Sequence, residues 1–185
     1  MYDVLDNAAH WDPVTRALIL DRVENVPEIA FFTPAEAEVL RAFLEVALAQ
    51  QDDDPRIPVL EMVDARLERG DGDGYRYHDM PEDGETWKRF AAQLREDGFA
   101  ALADKQAYVQ RLHDGESRAW SVVMRYALTA FYSHPWAWNE IGFGGPAYPR
   151  GYMRLQAGPA GREPHETAEA FGLDPVVDVP RRGLE

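Results

Sequence analysis

Residues 131–152, hereafter the aromatic segment, constrain the fold of this chain more than any other stretch. Seven large rings stand there with three prolines and four glycines; the rings are Phe131, Tyr132, Trp136, Trp138, Phe143, Tyr148 and Tyr152. Proline removes a backbone donor and glycine weakens helices and strands, so this composition predicts an ordered loop and excludes a regular helix or a central strand. The segment is too apolar for a solvated linker. We therefore expect it to pack on its own domain, on a partner chain or on a ligand.

Helical periodicity dominates the rest of the chain. The sequence Thr33-Pro34-Ala35-Glu36 is a helix-start signal, in which Thr33 caps the first turn and Glu36 reaches back to it. Apolar spacing predicts five helices, over about 34–50, 58–69, 85–96, 99–112 and 116–133. No alternation typical of strands is present. The predicted fold is all-α, with about five helices, the long aromatic loop and an extended C-terminal tail.

The predicted organisation has three parts. Residues 1–30 form a strap or one short helix, with Pro13 and Pro27 as breaks, and residues 31–154 form the helical domain. Residues 155–185 form the tail, in which 163–171 has the pattern of a short helix.

The charge balance restricts the class of partner. There are 19 Lys and Arg against 33 Asp and Glu, a net charge of −14, and no cysteine. Nucleic acid and anionic membranes require basic surfaces, so neither is an expected partner. The absence of cysteine excludes disulfides and thiolate metal sites. The amino terminus has no basic start or apolar run typical of a secretory signal, and no stretch is apolar enough for membrane insertion.

Candidate chemical motifs are incomplete. The five histidines show no helical metal-binding pair. A calcium loop beginning at Asp71 places Tyr75 and Arg76 where a ligand and a glycine are needed. The glycines of 142–145 are followed by Pro146, not by the lysine or helix of a nucleotide-binding loop. We therefore expect no metal or cofactor in this chain.

Three residues of the aromatic segment, Ser133, His134 and Glu140, are candidates for catalysis. Ser133 and His134 are neighbours in sequence, which rarely places a hydroxyl on an imidazole nitrogen, and no nucleophile-elbow motif surrounds them. Glu140 becomes a candidate general acid only if it is buried among the rings. The alternative interpretation is that Glu140 accepts hydrogen bonds from the backbone or Arg150 that hold the loop in shape.

The aromatic segment resembles the carboxy-terminal signature of the gluconate 2-dehydrogenase subunit 3 family. The resemblance rests on His134-Pro135, Trp138, the run Glu140 to Ala147, and Pro149-Arg150-Gly151-Tyr152. Phe31-Phe32-Thr33-Pro34 and the following helix, Gly74-Tyr75-Arg76 and Met80-Pro81 are also similar. The resemblance covers roughly residues 30–154.

The resemblance implies a small subunit without chemistry of its own. Members of this family accompany a large flavoprotein of the glucose–methanol–choline type, which holds FAD and oxidises a sugar or sugar acid, often with a further electron-transfer subunit. Many members begin with a twin-arginine export signal, which this chain lacks. The resemblance therefore leaves two compartments open: the cytoplasm, or the periplasm if a signal-bearing partner carries the subunit.

Three hypotheses follow for function. In the first, the chain is a non-catalytic subunit whose aromatic segment binds the flavoprotein, stabilising or maturing it. The expected partner-binding residues are His134, Pro135, Trp136, Trp138, Glu140, Phe143, Gly144, Gly145, Pro146, Tyr148, Arg150 and Tyr152. In the second, the chain is a stand-alone carbohydrate-binding domain or enzyme, with Trp136, Trp138 and Tyr148 as a stacking platform and Glu140 as acid or base. In the third, the segment packs on its own domain in a structural protein.

Overall fold

The computed structural model describes residues 3–72, 79–115 and 117–146. These residues form helices, turns and irregular segments, without a strand among them, and the predicted all-α class is confirmed for this part of the chain. Two compact units are present. The central unit comprises Val26–Phe131, and the terminal unit combines residues from 1–25 and 132–185.

The α-helices have bounds set mainly by local signals. They are α1 Pro13–Glu24, α2 Pro34–Ala47, α3 Val59–Glu68, α4 Asp83–Glu96, α5 Lys105–Asp114, α6 Arg118–Ser133 and α7 Pro135–Ile141, with 3-10 helices at Val4–His10 and Phe99–Ala101. At the start of α2, the Thr33 hydroxyl accepts from the Glu36 N–H and the Glu36 carboxylate accepts from the Thr33 N–H. The predicted capping box is confirmed.

The core of the central unit is aromatic. In it, α2 packs against α3, α4 and α5. The Phe43 ring, which is fully buried, meets Phe90 at 5.0 Å and Phe99 at 5.9 Å between centroids. Edge-to-face contacts of this kind contribute stability in addition to that gained by burying their apolar area. Trp87, Leu94 and Val123 complete this buried layer.

A buried carboxylate fixes the entry into α2. Asp64 of α3 is fully buried, and its two oxygens accept hydrogen bonds from the backbone N–H groups of Ala30, Phe31 and Phe32 at 2.7–3.1 Å. The segment before α2 is irregular, so the carboxylate supplies acceptors that these amides do not find in a helix, and the Phe32 amide would otherwise be buried without a partner. The periodicity of 58–69 predicts the apolar face of α3 but gives no sign of this polar contact.

The helix predicted over 99–112 is wrong in its first part. Phe99–Ala101 is a 3-10 helix, Leu102 is extended, and α5 begins only at Lys105. The Asp104 carboxylate accepts from the Ala107 N–H at 2.8 Å. The residue that caps a helix is itself not helical, so Asp104 separates α5 from the preceding turn. Apolar spacing alone does not reveal this break.

The prediction of a strap or one short helix over 1–30 understated the helical content there. A 3-10 helix occupies Val4–His10, capped by Asp3, and α1 follows at Pro13. Pro13 does not break a helix but begins one, because Asp12 caps the first turn and a proline in that turn loses no hydrogen bond.

The prediction that the aromatic segment excludes a helix is also wrong. Its first residues end α6 at Ser133, and Pro135–Ile141 form α7. The breakers lie at the ends of α7: Pro135 opens it, and Gly142 closes it with a φ of 69°. Both positions tolerate these residues. The predictions for residues 73–78 and 147–185, including Tyr148, Arg150, Tyr152, the 163–171 helix and the tail, lie outside the described residues.

Candidate functional site

The start of α7 is built around His134, which is fully buried. Its Nδ1 accepts a hydrogen bond from the Trp136 N–H at 3.3 Å, so the imidazole is the N-cap of α7. Its Nε2 lies 3.1 Å from the carbonyl oxygen of Arg22 in α1. A carbonyl only accepts, so Nε2 carries the proton and the ring is the neutral Nε2–H tautomer.

Arg22 makes a second connection between α1 and this region. Its guanidinium donates to the carbonyl oxygen of Ser133 at 2.6 Å. A charge-assisted bond to one of the last carbonyls of α6 satisfies an acceptor that the helix itself leaves open. Arg22 therefore holds the residues on both sides of the junction between α6 and α7, through Ser133 and His134.

Trp138 is the buried centre of the aromatic segment. Its side chain is 7% exposed and packs with Val4, Ala8, Trp11 and Ile19 in the core of the terminal unit. The indole Nε1–H donates to the Tyr132 carbonyl oxygen at 2.6 Å. Phe143 meets the Trp138 ring edge-on at 5.4 Å. This ring is part of the fold and offers no open face for stacking a sugar.

Asn139 connects α7 to the amino terminus. Its Oδ1 accepts from the Val4 N–H at 2.8 Å, and its Nδ2 donates to Asp3 Oδ1 at 3.1 Å. The same Asp3 oxygen accepts from the Leu5 N–H at 3.0 Å. The Asn139 side chain thus provides a hydrogen-bond acceptor for the first turn of the 3-10 helix. The same contacts fix the rotation of α7 about its axis.

The glycines after α7 allow close approach to the N-terminal residues. Gly145 has a φ of 81°, and a Cβ at this position would lie 3.0 Å from both Trp11 Cζ2 and Val4 Cγ2. Asn7 Nδ2 donates to the Gly144 carbonyl oxygen at 3.5 Å. The glycine cluster therefore permits tight packing of the backbone on the N-terminal 3-10 helix.

The aromatic segment also presents apolar side chains to solvent. Tyr132 is 49% exposed, Ile141 57% and Phe143 46%. Ile141 is the last residue of α7. Phe143 is held against this helix because the Phe143 N–H donates to the Trp138 carbonyl oxygen at 2.9 Å. We call Tyr132, Ile141 and Phe143 the exposed apolar set.

The predicted partner-binding residues therefore divide between core and surface. His134, Pro135 and Trp138 are buried, Trp136, Gly144, Gly145 and Pro146 are partly buried, and Glu140 and Phe143 are exposed. The sequence analysis gives no role to Arg22 or Asn139, and it includes Ile141 in the family resemblance without a role in partner binding. For Ile141 a signal existed, namely a large apolar residue immediately before a helix-ending glycine.

The structure places Glu140, the candidate general acid, and Trp136, a candidate for sugar stacking, as follows. Glu140 is exposed, so the burial among rings that would suit a general acid is not found. Trp136 is partly buried, and its ring contacts that of His134 at 4.6 Å between centroids.

Residues 3–72, 79–115 and 117–146 contain no group of three or more His, Asp or Glu side chains placed to hold a metal ion. Nor do these ranges include a helix long and apolar enough to cross a membrane.

Comparison with protein-family models, with curated proteins and with solved structures finds no match for this chain. The resemblance of the aromatic segment to the gluconate dehydrogenase small subunits consequently stays a prediction.

Proposed function

We propose that this chain is a non-catalytic small subunit that binds a large FAD-dependent dehydrogenase of sugars or sugar acids. The class of partner is inferred from the sequence resemblance. The docking surface is inferred from the exposed apolar set of the terminal unit. FAD and the oxidation chemistry belong to the partner. The observation that carries the proposal is an exposed apolar set next to α7, which the hydrogen bonds of His134, Trp138 and Asn139 hold in place.

The anchoring of α7 favours binding. Binding costs free energy for every side chain and loop that must become ordered, and this cost is smaller when the free protein already has the bound shape. Here the hydrogen bonds of His134, Asn139 and Trp138 hold α7 before any partner arrives. Burial of a Phe or Ile side chain contributes roughly 1.5–3 kcal/mol before ordering costs.

The charge balance of the terminal unit suggests the chemistry of the opposing surface. The described part of the terminal unit has six carboxylates, Asp3, Asp6, Asp12, Asp21, Glu24 and Glu140, against two arginines, Arg16 and Arg22. A partner surface that combines apolar and basic side chains complements this composition. A second acidic copy of the chain does not.

Affinity capture from the native source, read by flavin absorbance, tests the proposed function. A tagged chain should retain a much larger protein whose spectrum has the visible absorbance bands of a bound flavin. Mass determination of the retained complex gives the stoichiometry. A colourless eluate containing the tagged chain alone, from cells grown on oxidisable sugars, would reject the proposal.

Variants of the exposed apolar set identify the surface. Phe143→Asp and Ile141→Asp should abolish capture, because a carboxylate buried opposite an apolar patch is left without a partner. The matched control is Val26→Asp in the central unit, where the wild-type valine is 55% exposed. Circular dichroism checks that each variant retains the wild-type helix content.

A further inference from the structure

The hydrogen bonds of His134 leave no acceptor for a second ring proton. Nδ1 already accepts from the Trp136 N–H, and Nε2–H already donates to the Arg22 carbonyl oxygen. Protonation at Nδ1 would place the new Nδ1–H opposite the Trp136 N–H, so that two donors would face each other at the first turn of α7. A buried imidazolium would also lose the hydration that it has in the unfolded chain.

We propose that His134 is an acid-sensitive latch, in which protonation of Nδ1 removes the cap of α7 and releases Pro135–Ile141 from α1. The helices α1 and α7 pack on each other, and His134 is the residue that bonds to both. The latch is a property of the chain itself and does not depend on the proposed flavoprotein partner.

The charges around the ring act in the same direction. On α1 the guanidinium of Arg22 lies beside His134, bound to the neighbouring Ser133 carbonyl. On α7 the ring meets the uncharged Trp136, and the acidic residue of that helix, Glu140, is exposed near its far end. Burial lowers the pKa of His134, the bond to the Arg22 carbonyl opposes this, and the Arg22 charge adds to the lowering.

The direction of the pH effect follows from this lowered pKa. In the released segment the ring has an ordinary pKa of about 6.5, so it takes up a proton more readily than in the folded unit. Acidification below about 6.5 therefore favours release, and the effect stops growing once the pH falls below the lowered pKa. Between pH 7.5 and 5.0 the equilibrium for release increases by at most about 30-fold if the ring stays neutral while α7 is docked.

Hydrogen exchange measured by mass spectrometry tests the latch. After correction for the intrinsic pH dependence of exchange, amides of Trp136–Ile141 should exchange more than threefold faster at pH 5.0 than at pH 7.5. Amides of Val39–Ala47 in α2 provide the internal reference. The variant His134→Asn retains an acceptor at the cap and does not titrate, so its corrected exchange in α7 should be independent of pH.

A second variant and a second readout make the outcome decisive. His113→Asn changes an exposed histidine of α5, and its exchange in α7 should keep the wild-type pH dependence. Direct NMR titration of His134 in the wild-type chain remains informative even if His134→Asn does not fold. A His134 pKa at or above about 6.5, or equal corrected exchange of α7 at the two pH values, overturns the latch.

Discussion

At the scale of single residues, Asp64 makes the most demanding contact of the central unit. Its carboxylate accepts from three consecutive backbone N–H groups while fully buried. An amide in its place keeps one acceptor oxygen but turns two N–H donors towards other donors. We expect Asp64→Asn to lower the free energy of unfolding by about 2–4 kcal/mol, as measured by denaturant titration.

The control for this prediction is an equally small change at an exposed carboxylate. Glu85 pairs with Arg89 one turn away on α4, and both side chains are at least half exposed. Glu85→Gln should therefore change stability by less than about 0.5 kcal/mol. Equal effects of the two substitutions would contradict the role assigned to Asp64.

Gly145 and Gly98 provide a second residue-scale comparison. Both have positive φ, but a Cβ on Gly145 meets Trp11 and Val4 at 3.0 Å, whereas a Cβ on Gly98 has no neighbour within 4 Å. Gly98→Ala should cost about 1 kcal/mol, from backbone strain alone. Gly145→Ala should cost roughly 1–3 kcal/mol more, because the added methyl also overpacks the terminal unit. Thermal unfolding followed by circular dichroism measures both, and an equal loss would argue against this packing.

Residues of this kind are hard to predict from sequence. Asp64 occupies a position in a helical pattern where an aspartate is usually exposed, and nothing local indicates that three amides of residues 30–32 converge on it. The sequence marks His134 as a candidate residue before a proline but does not show that it caps α7. Its ring contacts the carbonyl oxygen of Arg22, which is 112 residues away along the chain. Long-range polar contacts leave no periodic signal, so sequence reasoning found the site's apolar residues more readily than the groups that position them.

At the scale of elements, local signals decided which helices were predictable. The capping box of α2, the glycine after α3 and the apolar period of α6 act within a few residues, and these three helices are confirmed. The composition of the aromatic segment does not predict α7, because proline and glycine disfavour the interior of a helix but not its ends. Placed at the two ends of a seven-residue helix, they define it.

Truncation of two neighbouring rings, Trp138 within α7 and Phe143 just after its end, separates core from surface. Trp138 is buried and Phe143 is 46% exposed, although the rings touch each other. We expect Trp138→Ala to cost about 3–5 kcal/mol of stability in the terminal unit, and Phe143→Ala less than about 1 kcal/mol. Near-ultraviolet circular dichroism should show loss of aromatic packing in the first variant alone. Comparable losses would place Phe143 in the core and remove it from the proposed docking surface.

At the scale of the whole molecule, the charge of −14 and the exposed apolar set have different expected effects on the proposed complex. Exposed charges steer association and are screened by salt, whereas apolar burial is not weakened by salt. We therefore expect the proposed complex with a flavoprotein to form more slowly at 0.5 M sodium chloride but to persist once formed. Association and dissociation rates at two salt concentrations provide the measurement. A dissociation rate that rises steeply with salt would indicate a mainly ionic interface.

The most direct test of the docking surface is the equilibrium affinity of the captured flavoprotein for purified wild-type chain and for Phe143→Asp, with Val26→Asp as the control. Val26 is an exposed valine of the central unit. We predict at least a 100-fold loss of affinity for Phe143→Asp, corresponding to about 2.7 kcal/mol, and no loss for Val26→Asp. A flavoprotein that binds folded Phe143→Asp as tightly as the wild-type chain would contradict the proposed docking surface.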